Sequence, residues 1–299
     1  MPIRARSHRK RTTFCRVNSP SRPVTHLEKS DVLDGLFTSW RDIGVILQTL
    51  DSSDWTTETS LPGWTVHDVV AHIVGTESML GGIATPEADV DVSTLEHVRN
   101  DIGVMNEHWV RKLRSLDPAE LQQMFDTVTA QRRNELSDLP VEQWNNITAT
   151  PAGPDTYGRF MRVRVFDCWM HELDIRDAVA RPATAEELVG PASAMALDEM
   201  ADSMGFVVGK LGKAPDGARV RIALTGPLQR EINVAIQGRG RVVQDFGTED
   251  PTSTVAVDGV LFTRIAGGRT TPGAHGDAIT YGGDEVVGRR IVEHLKYVI

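Results

Sequence analysis

Near the middle of the chain, the stretch "FDCWMHELDIRDAV" (166–179) sets Asp167, His171 and Asp174 beside an apolar stripe of Phe166, Met170 and Leu173. On an α-helix, side chains at i and i+4 stand one turn above each other. A carboxylate at 167 and an imidazole at 171 can therefore converge on one point, and 174 continues the stripe. The apolar stripe faces a core, which leaves the polar one at the core's edge, where unpaired acids and imidazoles are costly. Earlier in the chain, "LPGWTVHDVVAHIVGTE" places His72 beside the apolar positions Val69 and Ile73 of another helix. One histidine from that helix with Asp167 and His171 makes a two-His, one-carboxylate set, assembled as metal sites in helical bundles are. Three protein ligands leave one coordination position open for chemistry. Asp68 and Asp174 are then candidates to accept the other ring N–H of His72 and His171. The spacing alone also fits hydrogen-bonded core residues.

Other reactive residue types fit less well. His67 lies off the His72 face and is expected to be exposed. His97 and His108 would share a helical face but sit about 16 Å apart along it, too far for one ion. Cys168 adjoins the acid–His pair yet points about 100° away, as a buried and inert thiol would. The glycine-rich runs "AGGRTTPG" and "YGGDE" lack the Lys-Ser/Thr ending of a phosphate-binding loop and read as turns. Between such glycines, Arg269 is either a bidentate grip for a carboxylate or a surface charge at a helix end.

Helices have to position these residues. Val32, Leu33, Leu36, Trp40, Ile43 and Leu47 cover one face of a first helix from about Asp31. A second is capped by Thr65 and ended by Gly81 and Gly82. Further helices are expected over roughly 94–115 and 118–138, and the Asp167 helix follows the Pro- and Gly-rich loop "TATPAGPDTYG" and stops before Pro182. Beyond it the pattern changes: a helix over about 185–211, then alternating strands "ARVRIALTG", "QREINVAIQG", "GRVVQDF" and "TSTVAVDG". A short helix "VLFTRIAGG" and a final one capped by Asp284 complete the chain. The expected organisation is a basic, disordered extension over 1–29, a four-helix bundle over 30–182, and a smaller α+β domain with an antiparallel sheet over 183–299.

Composition narrows the function. The 299 residues are 40% hydrophobic with a net charge of −9, which supports a sizeable core and argues against a nucleic-acid binder. No apolar run approaches the ~20 residues that cross a bilayer, so a cytoplasmic protein without membrane partners is expected. Cys15 and Cys168 make no metal or disulfide spacing, so any metal uses His and carboxylate. Small molecules are the expected partners; oligomeric state is not legible.

The stretches "LPGWTVHDVVAHIVGTE" and "FDCWMHELDIRDAVARP", with "VDGVLFTRIAGGRTT" and "GGDEVVGRRIVEHL" towards the end, resemble the mycothiol-dependent maleylpyruvate isomerase family. The resemblance spans roughly residues 30–299. It implies a DinB-like metal-binding bundle followed by a sterol-carrier-like domain, and zinc or a similar ion on His72, Asp167 and His171. In the family pattern a glutamate stands where this chain has Asp167, and the catalytic arginine falls on Arg269. Mycothiol would supply a thiolate at the open metal position, in an isomerase or an S-transferase acting on a small electrophile. A non-catalytic metal-containing scaffold and a thiol-independent metal hydrolase are the competing readings.

Overall fold

The computed structural model of the protein describes residues 24–298. Its first part is helical: α1 (Lys29–Leu47), α2 (Val66–Leu80), α3 (Asp101–Leu113), α4 (Pro118–Asp138), the single turn α5 (Val141–Trp144) and α6 (Tyr157–Ala178). A two-residue ladder of β1 (Ile147–Thr148) and β2 (Asp155–Thr156) leads into α6. Helices α1, α2, α4 and α6 form the bundle and α3 leans on α2. The apolar faces meet in a core that includes Leu36, Trp40, Val69, Ile73, Phe125, Met161 and Val165.

Local chemistry sets the helix starts. Thr65 and Asp68 form a reciprocal capping box on α2, and Asp117 with Glu120 does the same on α4, where Pro118 occupies the first turn. Asn100 accepts from the Gly103 N–H, so α3 starts at Asp101 and the helix expected from 94 is shorter than its apolar pattern suggests. The expected extension over 1–29 lies mostly outside the described residues. Its last residues pack on the bundle: the Thr25 N–H donates to Asp155 at 2.7 Å and the Leu27 carbonyl accepts from Trp144 Nε1 at 2.9 Å.

The second part holds α7 (Ala185–Leu188), α8 (Pro191–Phe206), β3 (Arg219–Thr225), β4 (Arg230–Gln237), β5 (Arg239–Val243), β6 (Ser253–Asp258), α9 (Gly259–Ala266), β7 (Ile279–Gly283) and α10 (Glu285–Glu293). The helix expected over 185–211 is interrupted at Gly190-Pro191 and ends in a looser turn over 207–211. The sheet runs β5-β4-β3-β6-β7 and is antiparallel except at its centre, where β3 and β6 pair in parallel. "YGGDE" is not a free turn: Tyr281, Gly282 and Gly283 belong to β7, and Asp284 caps α10 as expected. Helix α8 packs on α1 and α6 on one side and on β4 and β5 on the other. Arg159 and Arg162 of α6 both reach the buried Glu199 of α8, at 2.5 and 2.9 Å. Among the described residues no helix is long and apolar enough to cross a membrane.

Helices α2 and α3 approach closely because Gly75 has no side chain: a Cβ there would lie 2.4 Å from Trp109 Cβ. Gly75→Ala should therefore force the helices apart and lower stability by about 1–3 kcal/mol in denaturant unfolding.

Candidate metal centre

The stripe on α6 does meet α2. His72 Nε2 stands 3.2 Å from Asp167 Oδ2, and His171 Nε2 stands 3.6 Å from Asp167 Oδ1. The two imidazole rings are edge to face with centroids 4.9 Å apart. One ligand atom from each of the three residues falls within 4.8 Å of the others, the separation at which donors can share one cation. The aspartate is long enough to reach both histidines. They line a cavity of about 120 Å³ together with Leu61, Trp64 and Arg269. Phe166 and Met170, from the stripe expected to face the core, form its apolar wall.

Buried charge holds Asp167 in place. Arg164, one turn before it, donates to Asp167 Oδ2 through Nη1 and to Glu77 Oε1 through Nε at 2.9 Å. Glu77 is fully buried on α2 and also accepts from Arg132 of α4 at 3.3 Å, and Arg132 reaches the Tyr157 hydroxyl at 3.0 Å. Burial by itself would raise the Asp167 pKa. The Arg164 guanidinium, His171 and His72 outweigh it and hold the carboxyl well below the usual range, so it is a carboxylate. Burial lowers the His72 pKa, which keeps that ring neutral and able to donate a lone pair. For His171, burial pulls downward but Asp167 and then Asp174 prevail, and its pKa is raised. A cation bound there would compete with a proton for His171, so its affinity would weaken as pH falls.

Asp174 orients His171, as the spacing suggested: Nδ1 lies 3.0 Å from Asp174 Oδ2, which directs Nε2 at Asp167. Asp68 does not do this for His72. It is used up by the capping box and by Arg114 Nε at 2.8 Å, and His72 Nδ1 is buried without a hydrogen-bond partner among the described residues. Sequence reasoning also overlooked Arg264, which donates to Asp174 at 2.9 Å and pairs with Asp177. Arg269 grips the same carboxylate with Nε at 3.1 Å and Nη2 at 2.7 Å, and gives Nη1 to the Gly267 carbonyl at 2.6 Å. Arg269 is thus neither a surface charge nor a wholly free grip. One N–H on each terminal nitrogen remains beyond those bonds, at the cavity wall.

The remaining candidates fall outside the cluster. His67 is buried, not exposed, and bonds the Leu116 carbonyl at 3.0 Å. His97 pairs with Glu107, and His108 accepts from the Ala88 N–H. Cys168 is fully buried and its thiol is pushed up to about 12 by burial, which removes it as a nucleophile. Trp64, which carried no chemical signal in the sequence, lies over His72 and His171 at 5.2 and 6.3 Å between centroids, pinned by its Nε1 donating to Glu107 at 2.6 Å. A signal for Glu77 and Arg164 existed: Glu77 stands four residues after Ile73 on the buried face of α2, and Arg164 three before Asp167.

Residues 36–176 match the family model described as the mycothiol maleylpyruvate isomerase N-terminal domain. Two uncharacterized proteins of Mycobacterium tuberculosis, strains CDC 1551 and H37Rv, are each 26% identical over 145 residues, 48% of this chain. The chain spans only about half of their length, 55%. The crystal structure of the mycothiol-dependent maleylpyruvate isomerase superposes with a TM-score of 0.56 at 18% identity, covering 86% of this chain and 93% of that one. A point mutant of that enzyme gives 0.55 at 17% over the same shares. At these identities the likeness is one of fold.

Burial would raise the Asp174 pKa, but His171 and Arg269 pull it below the usual carboxylate range. Its contribution to stability is therefore present above the unfolded-state value near ~4 and is lost as pH falls through the lower folded value. Asp174→Asn should weaken the protein at neutral pH and flatten the acid limb of its stability curve below about pH 4, measured by urea unfolding across that range.

Proposed function

Because residues 36–176 match the model of the mycothiol maleylpyruvate isomerase N-terminal domain, we propose that the chain is a divalent-metal- and thiol-dependent enzyme, an isomerase or S-transferase. Its substrate on this reading is a small electrophile bearing a carboxylate, and mycothiol is the thiol. The observation that carries the reading is the convergence of His72, Asp167, His171 and Arg269 on one cavity. The two halves then act as domains divided near residue 182, the first holding the cation and the second the arginine.

The donor set fits zinc: two imidazole nitrogens and one carboxylate oxygen, with space on the cavity side for an exogenous ligand. A bound cation would supply Lewis acidity that keeps a thiol deprotonated at neutral pH, and the thiol would supply the nucleophile for a conjugated double bond. The chain's own residues do the rest. Arg164 keeps Asp167 ionised by donating to Oδ2, the carboxylate oxygen that His72 also approaches. Asp174 takes the Nδ1 proton of His171 in a hydrogen bond, fixing the tautomer that leaves Nε2 for the cation. Arg269, anchored on Asp174, directs its remaining N–H groups at a substrate carboxylate. Trp64, Phe166 and Met170 exclude water from one side of the cavity, which strengthens each of these charge interactions.

Metal analysis of purified protein should find about one divalent ion per chain, and none in His72→Ala. A metal-free wild type, or a His72→Ala variant indistinguishable from it, would overturn the metal reading. Mycothiol-dependent turnover of maleylpyruvate or of a related cis-enoate should vanish on chelation. With Arg269→Lys, kcat/KM should fall by about 10²-fold while metal content stays unchanged, since a single ammonium cannot hold Asp174 and substrate at once. Turnover that survives removal of every thiol would instead mark a metal hydrolase.

A further inference from the structure

Charge enters the cavity at few points. His72, Asp167, His171 and Arg269 supply its titratable groups, and Arg269 is the only arginine or lysine among the described residues that line it. The other walls are Leu61, Trp64, Phe166, Met170 and Val298, with the uncharged Asn106. Val298 comes from the end of the chain. Its N–H and that of Tyr297 donate to the Ala266 carbonyl at 3.4 and 3.3 Å, which lays this tail along the turn that carries Arg269. Lys296, in the same tail, packs against Gly268 and does not line the cavity.

The positive charge is also largely spoken for. Arg264 and Arg269 are matched by Asp174 and Asp177. A divalent cation on Asp167 would have its remaining charge met by a bound thiolate. One carboxylate can still take the remaining N–H groups of Arg269. A second would lose its water against apolar walls without gaining a partner, which costs far more than burying a methyl group in its place. We propose that the preferred substrate is a monocarboxylate with a short apolar body, over a dicarboxylate such as maleylpyruvate, which carries a carboxylate at each end. The proposal rests on the carboxylate reading above and narrows it. The cavity of about 120 Å³ keeps the apolar body small.

Butanoate and succinate make the test, since they differ only by a methyl group in place of the second carboxylate and neither is electrophilic. They are titrated by NMR into zinc-loaded protein saturated with mercaptoethanol, so that the probes meet Arg269 and not the cation. Butanoate should bind about tenfold tighter than succinate. Val298→Arg, at a position outside every helix and strand, adds a second guanidinium to the apolar wall. It should tighten succinate about tenfold and leave butanoate unchanged. Succinate binding as tightly as butanoate to the unsubstituted protein overturns the proposal and leaves the carboxylate reading intact. A preference for butanoate that Val298→Arg does not reduce overturns it as well, because the apolar wall is then not its cause. If neither probe binds, the carboxylate reading itself falls, and this proposal with it.

Discussion

The arrangement depends on one buried guanidinium. Arg164 lies inside the bundle between Glu77 of α2 and Asp167 of α6, and Glu77 also holds Arg132 of α4. Charges out of water are tolerated only when matched and hydrogen-bonded, so these side chains can be buried together but not separately. Three helices are thereby tied at one depth, beside the point where His72 and His171 approach Asp167. The same arginine neutralises the aspartate, so a carboxylate persists in a place whose burial would otherwise favour the protonated acid. Position and ionisation of the ligand have a common cause.

A second carboxylate joins the two halves of the molecule. Asp174 is fully buried and serves His171 within its own helix, together with Arg264 and Arg269 from beyond β6. One side chain thus sets the imidazole tautomer and locates the arginine at the cavity. Helix α8 adds a shared apolar wall, and the Arg159–Glu199–Arg162 cluster adds a further buried polar contact between α6 and α8. The sheet half is therefore a structural neighbour of the His72–Asp167–His171 cluster, and any loosening of the interface displaces Arg269 and His171 together.

Much of this was legible in the residues. His72, Asp167, His171 and Asp174 stood out because helical periodicity puts polar groups of fixed spacing beside an apolar face, and the fold turns those two faces towards one another. What spacing cannot show is which partners are already taken. Asp68 looked suited to His72, yet the Thr65 cap and Arg114 have first claim on it. His67 is buried by contacts between α2 and the end of α3 that no local pattern reveals. The start of α3 was masked by apolar residues before Asn100, and β7 by glycines that read as a turn until β6 pairs with them. The parallel pairing of β3 with β6 arises from a connection through β4 and β5, a tertiary choice made at long range.

The sequence separations at Asp174 also have a temporal side. His171 lies three residues before it, whereas Arg264 and Arg269 follow it by 90 and 95 residues. On a growing chain, His72, Asp167 and His171 all emerge well before either arginine does. Throughout that interval the imidazole is the only one of its native partners available to balance the carboxylate, carrying a proton or an ion. Synthesis from the N-terminus thus presents His72, Asp167 and His171 first and Arg269 last, so the three side chains can come together before the cavity wall that Arg269 supplies is in place.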